Sequence, residues 1–224
     1  MTRLLLLPTL LAMTVAVSGC QPEAASASPG EADAPASVPL PFYADETFTP
    51  HWFETEADVP ATFHAIPAFA LTDQQGRTVT EADLDGSLTV ANFFFTSCPG
   101  ICPMATANMK RVQEATAGMD DVILLSHSVT PETDSVATLA AFADRMGVVA
   151  ERWHLVTGPR ETIYALGKGA YFADEDRGEP SPGEVFTHTE SFYLLDGQRR
   201  IRGIYNGMNT TAVTQLLADI EALR

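Results

Sequence analysis

The stretch that decides the reading of this chain is FFFTSCPGICPM, residues 93–104. An aromatic run closes on two cysteines, Cys98 and Cys102, each followed by a proline. Leu88 to Phe95 is a nearly continuous apolar run, the pattern of a strand covered on both faces. Residues 103–117 then carry apolar side chains at helical spacing. The cysteines therefore sit between a buried strand and the start of a helix. Unpaired N–H groups and the dipole of a helix N-terminus favour negative charge, so a thiolate placed there becomes a nucleophile or a metal ligand. Pro103 suits the first helical turn, because the N–H it lacks would have had no partner.

The same alternation extends in both directions. Ala68 to Leu71 reads as a strand, Gln74-Gln75-Gly76 as a turn, and Arg77 to Val79 as the returning strand of a hairpin. Val122 to Ser126 is a second buried strand, and Thr133 to Met146 a helix opened by Pro131 and Glu132. Trp153 to Val156 is extended and Glu161 to Lys168 helical. Ser191 to Leu195 and Arg200 to Tyr205 form a hairpin around Asp196-Gly197, and Thr210 to Leu223 is a closing helix. Strands alternating with helices, then a hairpin and a helix, predict an α/β fold with a mixed central sheet flanked by helices. The roughly 160 residues involved are ample for one such core.

The first 19 residues predict a signal peptide: Arg3, an apolar run, then small residues. Val17-Ser18-Gly19-Cys20 resembles a bacterial lipobox, in which Cys20 would become the lipid-modified first residue. A diacylglyceryl anchor would hold the protein on the extracytoplasmic side of a bacterial membrane. Residues 20–41 are rich in Ala, Pro, Ser and Glu and read as a disordered tether. Residues 42–224 form the domain, beginning with an aromatic-rich N-terminal extension over 42–64.

Composition narrows the partners. Among 224 residues, 13 Lys+Arg face 29 Asp+Glu, a formal charge of −16. Loss of the signal removes Arg3 and no acid, so the mature charge is −16 − 1 = −17. That balance argues against nucleic acid, whose phosphates would repel such a surface. The Ala173 to Glu184 stretch, ADEDRGEPSPGE, is a solvated acidic loop that could also dock a basic partner.

If Cys20 carries lipid, Cys98 and Cys102 are the remaining thiols, too close in sequence to staple distant parts of a core. Their purpose is chemistry: either a redox-active pair able to close a disulfide, or two ligands for one ion. Three intervening residues, rather than the two of the usual dithiol oxidoreductase motif, permit both. Two thiolates are soft ligands that suit Cu(I) or Zn(II), and structural zinc normally takes four protein ligands. A third ligand for Cu(I) is sought among His51, His64, His127, His154 and His188. His188 lies just before the strand of the last hairpin, the loop that faces the cysteine pair in a thioredoxin-like topology. Thioredoxins carry a cis-proline there. His127 ends the neighbouring strand and is a weaker candidate for the same edge; His51, His64 and His154 read as structural. Met104 and Met109 read as helix packing, and Met208 stays open. A peroxidase of the peroxiredoxin kind needs Thr three residues before its cysteine, where this chain has Phe95.

FFFTSCPGICPM, SVTPETDS (128–135 with Ser128 first) and HTESFYLLDGQRRIRGIYNG from His188 together resemble the Sco/SenC family, from about Phe69 to the C-terminus. The resemblance implies a thioredoxin-like fold and a copper site of Cys98, Cys102 and His188. It also implies a role in assembling the binuclear copper site of cytochrome c oxidase, by delivering copper, by reducing that site's cysteines, or both. The implied partners are cytochrome c oxidase subunit II or another copper-accepting protein, and a thiol-reducing partner. A thiol-disulfide oxidoreductase that transfers no copper is the alternative. Two positions depart from the family pattern. Thr187 precedes the ligand His and Thr130 precedes Pro131, where the family commonly has Asp, and both bear on how His188 is oriented.

Overall fold

The computed structural model describes residues 40–97, 102–173 and 190–224, without the side chain of Cys102. Within them, seven strands form one sheet: β1 (Ala70–Asp73), β2 (Thr78–Thr80), β3 (Leu88–Phe94), β4 (Val122–Ser128), β5 (Trp153–Thr157), β6 (Ser191–Leu195) and β7 (Ile201–Asn206). Their order is β2-β1-β5-β4-β3-β6-β7. β3, β4 and β5 run parallel, while β1 and β6 lie antiparallel to their inner neighbours. The sheet is thus mixed, as the alternation of elements implies.

Every residue of β3 is buried, which is why its sequence is apolar without alternation. One face of the sheet contributes Val90, Phe94, Leu124 and Leu155 to a core with α1 (Cys102–Ala115), α2 (Val136–Met146) and α4 (Thr210–Leu223). The other contributes Ala91, Phe93, Leu125 and Val156 to a core with α3 (Arg160–Ala165) and the segment after it. Burying each such side chain stabilises the fold by about 1.5–3 kcal/mol.

The N-terminal extension packs on the domain. Phe42 and His51 exchange backbone hydrogen bonds at 2.9 and 2.8 Å, and Tyr43 pairs with Ile201 of β7. The Phe42 ring is fully buried, with the guanidinium of Arg202 3.8 Å and that of Arg200 4.8 Å from its centroid. Arg202 also donates to the carbonyls of Leu40 and Pro41, at 2.7 and 3.0 Å.

Three elements differ from expectation. α2 begins at Val136, not Thr133. Ser135 caps it, accepting from the Thr138 amide at 3.2 Å. Upstream, the Thr133 and Asp134 amides donate back to the Thr130 carbonyl, so Pro131 and Glu132 belong to a turn that aims the Asp134 side chain inward. The third helix ends at Ala165 and passes into a π-turn over Leu166–Ala170, which leads to Phe172 in the left-handed region (φ 55). In the last hairpin the left-handed residue is Arg199 (φ 64), not Gly197. Glycine is required at 197 for another reason. A Cβ there would lie 3.1 Å from Gly86 Cα, where the Gly86 amide donates to the Gly197 carbonyl at 2.9 Å.

Candidate functional site

The sheet brings three chain segments to one edge. Parallel β3 and β4 finish together, with Phe94 opposite Ser128. β6 runs the other way beside β3, pairing Tyr193 with Ala91, so its first residue, Ser191, lies toward the end of β3. α1 opens close by in sequence, at Cys102. Cys98, the side chain of Cys102, His188 and Cys20 lie outside the described residues, as does the acidic loop beyond Ala173.

The group that organises this edge is one that sequence patterning does not reveal. Asp134 is fully buried, and only neutral donors reach its carboxylate. Thr96 donates from its amide at 3.1 Å and from its hydroxyl at 2.5 Å; Ser128 and Thr130 donate from their hydroxyls at 2.6 and 3.1 Å. One carboxylate thus ties the chain two residues before Cys98 to the end of β4 and to the turn before α2. Thr130, at one of the departures from the family pattern, is a donor in this network. The signal available in the sequence is a lone Asp four residues after Thr130, at the end of a Thr-Pro turn.

His127 sits on β4 one residue before Ser128, yet it does not reach the edge. Its ring is fully buried, stacked 4.8 Å from Phe93 and edge-on to Tyr171 at 5.4 Å. Nδ1 lies 3.3 Å from the Asn92 carbonyl, which can only accept, so that nitrogen carries the proton. Burial pushes the imidazole down to about 4, and it is neutral at physiological pH. The other described histidines are structural. His64 Nε2 bonds the Ala170 carbonyl at 2.8 Å, His154 Nδ1 meets Asp73 at 3.2 Å, and His51 packs edge-on to Phe63.

Among the methionines, Met109 is buried in the core, but Met104 is 53% exposed, against expectation. The cause is helical phase. Ala105, Met109 and Val112 form the buried stripe of α1, and Met104 precedes it by one residue. Met208 packs partly buried against the same core. Among the described residues no group of His, Cys, Asp and Glu is arranged to hold a metal ion.

The sequence model of the SCO1/SenC family matches residues 57–223. The SCO1/SenC family lipoprotein from Bacillus anthracis str. Ames superposes with a TM-score of 0.63 at 32% identity, over 71% of this chain and 95% of its own. BsSco, described as a member of the Sco family of cytochrome c oxidase assembly proteins with a disulfide switch, gives 0.61 at 27% identity, over 71% and 93%. Bradyrhizobium japonicum ScoI, solved with copper bound, gives 0.58 at 25%, over 72% and 99%. The fold is thioredoxin-like, the seven strands and four α-helices of the described residues all fall inside the matched segment, and the chain belongs to the SCO1/SenC family.

Proposed function

We propose that this chain is a membrane-anchored copper-binding protein. In this reading Cys98, Cys102 and His188 bind copper, and the protein assists assembly of the binuclear copper site of cytochrome c oxidase. The observation that carries the reading is the shared edge of the sheet. Cys98 follows the end of β3 and His188 precedes the start of β6 in sequence, and those two strands pair antiparallel. The donor set fits the cargo: two thiolates and an imidazole suit Cu(I), which accepts two or three ligands. The solved relative with copper bound supports the same reading. Exchange with a partner's disulfide, which is reduced to its dithiol by two electrons, would oxidise the cysteine pair and remove both thiolate ligands, so copper release and thiol redox state are coupled.

Cys20 carries the lipid anchor and residues 20–41 the tether, after removal of residues 1–19. The lipoprotein relative supports this. Among the described residues no helix is long and apolar enough to cross a membrane. Reduction of a partner's cysteines without copper transfer is the second reading, favoured by the disulfide switch of BsSco.

Copper titration of the reduced chain tests the first reading. At a hundredfold excess over Kd, copper should stabilise the fold by about 2.7 kcal/mol. Cys98→Ala and Cys102→Ala should each abolish that gain. His188→Ala should weaken Cu(II) binding more than Cu(I), since two thiolates alone satisfy Cu(I). An unchanged melting temperature sinks the metal reading and leaves the reductase.

A further inference from the structure

A cleft of about 200 Å³ opens between Phe95-Thr96, the start of α1 and the end of α2. Phe95, Pro103, Phe142 and Met146 form apolar walls and Arg145 stands among them. Phe95 lies three residues before Cys98, and Pro103 follows Cys102. Exposed Met104 adjoins it in sequence.

The cations of α1 and of the end of α2, of which Arg145 lines the cleft, run against the charge of the rest of the chain. Lys110, Arg111 and Arg145 join none of the ion pairs formed among the described residues, although acids outnumber bases 29 to 13 overall. Arg145 rests over the Phe142 ring at 5.2 Å. The Lys110 ammonium lies at the end of α2, where it would be 3.1 Å from a Cβ on Gly147. Pro103, Thr106 and Lys110 are spaced to share one face of α1, with Arg111 one position round. The acids nearest in sequence, Glu114 and Asp144, pair with none of the three. Arg145 and Lys110 complement the C-terminal end of α2, but none of the three cations is held by a carboxylate, so their charge is left to act on a partner.

We propose that this surface docks the partner whose cysteines exchange with Cys98 and Cys102, and that it recognises an acidic protein face carrying an apolar side chain for the cleft. This rests on the cysteine pair being reactive, as proposed above. A protein fits better than an anionic membrane, because a chain of net charge −16 is repelled by such a membrane while three local cations steer one small acidic surface.

The test uses the oxidised full-length chain and two reduced dithiol peptides, identical except that one carries glutamates and the other lysines. In exchange, the peptide dithiol is oxidised to its disulfide and the Cys98–Cys102 disulfide is reduced, two electrons passing through a mixed disulfide. Net charge alone predicts that the lysine peptide reacts faster. The proposal expects the glutamate peptide to lead by about tenfold at low salt, with the lead lost above about 0.5 M. The triple variant Lys110→Glu, Arg111→Glu, Arg145→Glu should reverse the order, its Gln counterpart should level it, and Arg224→Glu should leave it unchanged. A faster lysine peptide on the parent chain, or a triple variant that keeps the glutamate lead, overturns the proposal. Cysteine-to-serine versions of both peptides, followed by fluorescence anisotropy, separate docking from chemistry. Preferential binding of the glutamate version without any exchange retains the surface and rejects the reactive pair; no such preference rejects the surface. If the triple variant instead loses retention on phosphatidylglycerol vesicles relative to the parent, the cations serve a membrane and the proposal fails.

Discussion

The two edges of the sheet handle buried carboxylates in opposite ways. At the edge where β3, β4 and β5 begin, two hairpins are closed by the same device. Asp73 accepts from the Gln75 and Arg77 amides and the Arg77 guanidinium; Asp196 accepts from the Gln198 and Arg200 amides and the Arg200 guanidinium. Each turn is thus an Asp with an Arg four residues on, and Arg202 adds a second cation to Asp196 at 3.3 Å. At the other edge, Asp134 receives hydroxyls and one amide, with no cation among its hydrogen-bond donors. Charge-assisted, geometrically fixed pairs close the end of the sheet that only has to hold. Neutral donors on one carboxylate hold the end from which the chain leaves β3 toward Cys98.

The largest effects should come from breaking these hubs. Asp196→Ala removes the buried carboxylate shared by Arg200 and Arg202 (9% and 2% exposed), leaving them Glu56 and the Leu40 and Pro41 carbonyls, and should cost about 3 kcal/mol in denaturant unfolding. Asp134→Ala leaves four donors without an acceptor and should cost about 3 kcal/mol. The sharper comparison is Asp134→Asn against Asp196→Asn. Both should lower stability, but only the first should also weaken copper uptake and alter the dithiol reduction potential, because only Asp134 holds the chain entering Cys98. Equal effects of the two on copper would erase the distinction between the edges.

Acid should act on two buried groups, His127 in the core and Asp73 at the hairpin end, in separate windows. The His127 imidazole is held down at about 4, so between pH 6.5 and about 4 the unfolded chain binds a proton that the folded chain refuses. Stability should therefore fall as pH drops through that window, by about 3 kcal/mol in all. His127→Leu should flatten this part of the profile. Burial alone would raise the Asp73 carboxyl, but hydrogen bonds from Arg77, His154 and Gln75 outweigh it and hold the group below the ordinary range. Its contribution is present above the normal carboxylate pKa and is lost only as pH falls below it. A profile with one acid transition confined below pH 4 would count against the buried neutral imidazole.

The smallest effect belongs to the close approach of the two turns. Gly197→Ala should cost about 1 kcal/mol, since the new methyl meets Gly86 backbone rather than a movable side chain. Copper uptake should be unaffected, because this contact lies at the edge remote from the cysteines.

What is legible in the sequence and what is not divide for a single reason. Apolar periodicity is local, so β3, β6 and the span of α4 are readable from the run at 88–95, from SFYLL and from Thr210 to Leu223. The start of α2 is not, because Pro131 and Glu132 are acceptable in a first helical turn. What removes them is Asp134 turning inward to meet Thr96, a partner 38 residues earlier. His127 and Met104 escape the sequence pattern for the same reason. Position along a strand or helix is readable, but which neighbours close over a side chain is not.

The chain by itself determined the order of strands and helices, the placement of a cysteine pair between a buried strand and a helix start, and an acidic overall balance. These follow from residue type and spacing within a few turns or strand lengths. Only the tertiary structure decided that Asp134 ties the end of β3 to the end of β4, that His127 is sealed in the core, and that Arg145 lines a cleft at the start of α1 without a carboxylate partner. Each of those depends on contacts between segments far apart in sequence, set by how the sheet pairs and how the helices lie on it.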